Sequence, residues 1–192
     1  HTFVPTDQPV TAAASLEAGE RLLAGGATLQ AYDAFAEGLK HFPADVRLRQ
    51  RLALTLARTG ASESANQVLT ALAREGHTDE ETLGLLARTH KDLWASSLEP
   101  DDRQRHLRLA FEQYREAYRL SGGYWSGINA ATMALLLGAD VEARTLARGV
   151  GETCLALRLD QGRDSERYWI LATLGEAALV QRDVPAAEQW YR

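Results

Sequence analysis

Leu22-Leu23-Ala24-Gly25-Gly26-Ala27-Thr28-Leu29-Gln30-Ala31-Tyr32-Asp33-Ala34-Phe35 is answered 34 residues on by Leu56-Ala57-Arg58-Thr59-Gly60-Ala61-Ser62-Glu63-Ser64-Ala65-Asn66-Gln67-Val68-Leu69. Gly26 falls on Gly60, Leu22 on Leu56, Ala31 on Ala65 and Phe35 on Leu69. Each stretch reads as the end of one amphipathic helix, a glycine turn and the start of a second. A unit of that length cannot bury its apolar faces alone, so a chain built of such units must stack them.

The column extends outward from this pair. Residues 12–45 hold Gly19, Leu22, Gly26, Ala31, Phe35 and Gly38, with Pro43 closing the unit, and 46–79 keep the register with Leu52, Ala53, Leu56, Gly60, Ala65, Leu69 and Leu72. Small residues stand where paired helices cross closely, and large ones fill the gaps between them. A third unit, 80–123, starts in phase at Leu83, Leu86 and Ala87 and resumes about 11 residues late at Ala110, Tyr114 and Ala117. A fourth, 124–167, ends in the polar stretch Asp160 to Arg167, and a fifth, 168–192, holds Leu174-Gly175, Ala178, Ala187 and Tyr191. No alternating apolar pattern is sustained anywhere. The period is of the tetratricopeptide type, and the expected fold is all-α: a right-handed α-solenoid of about five helical hairpins over residues 12–192, with 1–11 as an extended lead-in.

Composition narrows the function classes. A net charge of −5 carried by both signs lacks the concentrated basic face of a nucleic-acid binder. The longest apolar runs are too short for a membrane span. One cysteine, Cys154, allows no internal disulfide, so a cytoplasmic location is the default. The five histidines show no metal-ligand spacing, and Cys154 with His90 lacks any accompanying oxyanion or orienting motif. Cys154 reads as a packed thiol, and no cofactor and no catalytic set is expected. A start at His1 and an end inside the amphipathic pattern at Arg192 suggest an excerpt from a longer protein.

Two stretches are less generic than the period requires: residues 81–94, Glu81 to Trp94, and residues 124–138, Tyr124 to Gly138. They resemble the TRAF-binding region, a tetratricopeptide-repeat domain that forms the central regulatory part of apoptosis signal-regulating kinases and occurs in many bacterial proteins. The resemblance covers roughly residues 78–192. It implies a regulatory, partner-binding segment beside an effector: a kinase in animals, other signalling or defence effectors in bacteria. The kinase motifs themselves are absent from this chain.

In a tetratricopeptide stack the first helices line the concave face. That register selects Arg47, Gln50 and Arg58 from the second unit and Glu81, Arg88, Lys91 and Asp92 from the third. It takes Trp125 and Thr132 from the fourth, with Asn129 adjacent, and Trp169 and Glu176 from the fifth. A basic patch beside exposed aromatics suits an acidic or C-terminal peptide segment, a protein partner or an effector domain of the same chain. The other reading is a solvated charged face with Trp125 and Trp169 packed between units. The carboxylate-clamp members of the class use lysine and asparagine at the fifth and ninth places of their first unit; Leu16 and Glu20 stand there, which disfavours a chaperone-tail receptor. Asn129, inside an apolar run, either fixes a helix crossing or presents its amide to a ligand. The leading expectation is a non-catalytic regulatory scaffold, and the alternative is a sensor solenoid that binds a peptide or small molecule and controls an attached effector. The extra residues around Pro100-Asp101-Asp102 read as a docking element or, preferably, as a longer helix pair capped at Asp101 or Asp102.

Overall fold

The Schellman turn explains the glycine column. In the computed structural model, which describes residues 11–157 and 164–192, Gly26 and Gly60 have φ of 78° and 85°. That left-handed conformation is open to glycine without a Cβ penalty. It lets the Ala27 N–H donate to Leu22 O and the Ala61 N–H to Leu56 O, both at 2.9 Å, which satisfies carbonyls the ending helix would otherwise orphan. Gly76 and Gly138 repeat the arrangement, and Arg182 adopts it at φ 64° without being glycine.

Ten helices and no strand occur among the described residues. They are α1 (Ala12–Ala24), α2 (Thr28–His41), α3 (Val46–Arg58), α4 (Ser62–Arg74), α5 (Glu80–Ser96), α6 (Pro100–Ser121), α7 (Tyr124–Leu136), α8 (Asp140–Ala156), α9 (Asp164–Val180) and α10 (Val184–Tyr191). The fold is an all-α solenoid of tetratricopeptide type. Starts are set by side-chain caps: Thr11, Asp45, Asp79 and Asp183 each accept a backbone N–H three residues on. The lead-in at 1–10 and residues 160–163 of the polar stretch lie outside the described residues, whereas Asp164 to Arg167 form the first turn of α9.

The chain divides into two compact units, His1–His77 and Thr78–Arg192. In the first, the core of Ala31, Phe35 and Leu48 is closed by close approach of α1 and α2: the Phe35 ring occupies the place a Cβ on Gly19 would need, 2.1 Å from its Cε1. The second unit has the larger core, running from Ala87 through Tyr114, Ala131 and Val150 to Leu174.

Size complementarity recurs within hairpins. Gly175 faces the Tyr191 ring in the last hairpin much as Gly19 faces Phe35 in the first. Ala53 and Leu69, also 16 residues apart, are both fully buried.

The extra residues of the third unit lengthen both of its helices, to 17 residues in α5 and 22 in α6. Glu99 occupies the N-cap position with Pro100 at the head of α6, so Asp101 and Asp102 fall in the first turn rather than at the cap. There their charges oppose the positive end of the helix dipole.

Candidate functional site

Three first helices of the second unit, α5, α7 and α9, turn polar residues toward one cleft of ≈ 360 Å³. Its walls are Arg88, Lys91 and Asp92 from α5, Trp125, Ile128 and Asn129 from α7, and Trp169, Ala172, Thr173 and Glu176 from α9; Tyr114 of α6 lies beneath. The size falls within the range of small-ligand sites.

The cleft is organised around Lys91. Its Nζ donates to Asn129 Oδ1 at 2.8 Å and stands 6.0 Å from the centre of the Tyr114 ring. Asn129 is oriented in turn by donating from Nδ2 to the Trp125 carbonyl at 2.9 Å. Burial holds the Lys91 ammonium below its ordinary pKa, against the opposing pull of Glu176 and Asp92. The Asn129 amide therefore both fixes the crossing of α5 and α7 and lines the cleft. Asn129→Ala is expected to lower stability by about 1–2 kcal/mol through loss of both hydrogen bonds. Thermal unfolding checks this, and an unchanged midpoint would refute it.

Aromatic packing shapes the rim and floor. Trp125 reaches across to α5, where Gly84 leaves room: a Cβ there would lie 3.0 Å from the indole Cζ3. The Trp125 ring meets Tyr114 edge-on, with centroids 5.6 Å apart at 79°. Trp125, although packed on α5 and α6, stays 44% exposed and Trp169 59% exposed, so both indoles keep open surface. Tyr114 is fully buried, and its hydroxyl has no hydrogen-bond partner among the described residues. Burial raises its pKa, so the phenol keeps its proton. On the far wall, Thr132 Oγ1 donates to Glu176 Oε1 at 2.6 Å.

The cleft thus gathers Arg88, Lys91, Asp92, Trp125, Asn129, Trp169 and Glu176, with Thr132 as a support for Glu176. Glu81 is half-buried on α5 and outside the lining. Arg47, Gln50 and Arg58, of the second repeat, belong to the compact unit His1–His77 rather than to the one that holds the cleft. There Gln50 is 2% exposed and accepts from Arg47 Nη1 at 3.4 Å, while Arg58 lines a shallow depression with Glu20 and Arg51. Sequence register missed Tyr114 and Thr173. Tyr114 was legible only as a core aromatic, and the signal overlooked was its polar tip at a position where phenylalanine would pack as well.

Cys154 lies in the core with its thiol pushed up to about 11 by burial. His90 pairs with His106 across α5 and α6, Nδ1 to Nδ1 at 3.0 Å. Among the described residues no group of three or more His, Cys, Asp or Glu side chains could hold a metal ion, and no helix is long and apolar enough to cross a membrane.

The fold has clear likenesses among solved structures. TTC0263, a thermophilic tetratricopeptide-repeat protein of Thermus thermophilus, is 20% identical, with a TM-score of 0.76 over 94% of this chain and 88% of that one. The Cut9–Hcn1 hetero-tetramer of the APC/C matches at 17% identity and a TM-score of 0.73, covering 96% of this chain and 33% of that one. YrrB, described as a tetratricopeptide-repeat protein with an unusual peptide-binding site, matches at 11% identity and a TM-score of 0.60, covering 94% and 82%. These show the fold alone. The family profile described as Tetratricopeptide Repeats-Sensor matches residues 27–134, more than half of the 192 residues, and takes in the turn glycines Gly60 and Gly76, the lengthened α5–α6 pair and the Lys91–Asn129 bond. By that match the chain belongs to the tetratricopeptide-repeat sensor family.

Proposed function

We propose that this chain is a non-catalytic recognition segment of a larger signalling or defence protein, and that the α5–α7–α9 cleft is where it receives a ligand carrying an oxyanion. The carrying observation is the half-buried Lys91 ammonium, positioned by Asn129 with N–H donors to spare. Arg88 stands beside it, and among the described residues nothing hydrogen-bonds its guanidinium. A sensor family, a cleft of small-ligand size and half-exposed tryptophans at its rim favour ligand reception over a merely solvated face. The peptide-binding site in the description of YrrB lends the reading a structural precedent. The resemblance of residues 81–94 and 124–138 to the TRAF-binding region supports a cleft in the part of the chain that would govern an adjoining effector.

The test is a thermal-shift screen of millimolar carboxylates: dicarboxylates such as succinate, acidic tripeptides and free amino acids. At least one is expected to raise the melting temperature of the wild type and to lose that effect in Lys91→Met and Lys91→Glu. If none acts in a Lys91-dependent way, the reading is wrong.

A further inference from the structure

The charges around the cleft do not sum to a basic patch. Arg88 and Lys91 are matched by Asp92 and Glu176, two of each sign. A polyanion drawn to the two cations would meet the two carboxylates at short range, where Coulomb repulsion in a partly dry site is costly. A neutral apolar ligand would cover these charges and offer them no polar group of its own. The ligand that fits both walls is itself charge-separated.

Hydrogen-bonding capacity divides along the same line. Donors without an acceptor come from α5 and α6: the remaining Lys91 N–H groups, the Arg88 guanidinium and the buried Tyr114 hydroxyl. Helix α9 offers an acceptor, because Thr132 occupies only Oε1 of Glu176 and leaves Oε2 open. Glu176 is near enough to Lys91 to influence its titration, so the two subsites are close together. Trp125 and Trp169 supply apolar surface at the mouth.

We infer that the cleft binds a compact zwitterion of the free amino-acid type, its carboxylate held by Lys91, Arg88 and the Tyr114 hydroxyl and its ammonium by Glu176. This deepens the oxyanion reading above and rests on it. Tyr114 is the contact that separates a binding site from a packed core. An unpartnered buried hydroxyl burdens the ligand-free protein, and a ligand oxygen relieves it.

The experiment uses the full chain and isothermal titration of the free L-amino acids one at a time. The strongest binder is then compared with its N-acetyl and C-amide derivatives, and with succinate. Removing either charge is expected to weaken binding at least tenfold, as is Glu176→Gln. Tyr114→Phe is expected to leave the melting temperature of the ligand-free protein unchanged or raised, while weakening the same ligand at least fivefold. The inference is overturned if no free amino acid binds, if the N-acetyl derivative binds as well as its parent, or if Tyr114→Phe binds like the wild type. Lys91-dependent binding of succinate or of an acidic tripeptide, without binding of any amino acid, would overturn the zwitterion and leave the oxyanion reading standing.

Discussion

Gly127→Val is expected to lower the unfolding free energy by about 3 kcal/mol, the upper end of the cost of overpacking a dense core. Gly127 sits in the interior of α7, pressed between α6 and α8. A Cβ there would stand 2.5 Å from Val150 Cγ2 and 2.8 Å from two ring carbons of Tyr118. Val150 is fully buried and belongs to the core of the second unit, so it has no open side to retreat to. The sign is the informative part. At an unconstrained helix position, replacing glycine by alanine stabilises by about 1 kcal/mol. Gly151 of α8 is such a position, with nothing within 4 Å of the added methyl. Urea denaturation should therefore show Gly151→Ala above the wild type, Gly127→Ala below it and Gly127→Val lowest. A Gly127→Ala protein as stable as the wild type would mean that α6, α7 and α8 are not packed at this separation.

The same close packing explains how far the sequence could be read. Glycines and alanines recur because each hairpin must exchange volume between its two helices, and volume is written directly in residue type. Turn glycines are legible for the same reason, since a left-handed φ selects glycine almost alone. Partner choice is written less directly. The register that selects Lys91, Trp125 and Glu176, which line one cleft, also selects Gln50, which the fold buries almost completely beside Arg47. Register gives a residue's face on its own helix and not the neighbour that meets it. His106 was similarly obscure. It sits in the extra residues of the third unit, and only their incorporation into two longer helices brings it against His90, 16 residues away.

That pair is expected to make the protein less stable in mild acid. His90 is 8% exposed, and burial foremost, then the charges of His106 and Arg105, lowers its pKa from 6.5 to about 4. His106 is lowered too, by burial and by Arg105, with Asp102 opposing. The 3.0 Å approach of the two Nδ1 atoms has room for one proton between them. A second would set two N–H groups against each other.

Between the two His90 pKa values the unfolded chain binds a proton that the folded chain excludes, so stability rises with pH in this window and falls on acidification. From pH 7 to pH 5 the loss from His90 is about 2 kcal/mol, part of the full value that a shift from 6.5 to about 4 implies. Most carboxylates remain ionised in that range, which separates this effect from general acid unfolding. Urea denaturation at pH 7, 6 and 5 is expected to show the decline in the wild type and a flatter profile in His90→Gln, whose side chain has no proton to gain. Equal pH slopes in the two proteins would show that His90 is protonated in the folded state as readily as in the unfolded one, and that the α5–α6 contact tolerates the charge.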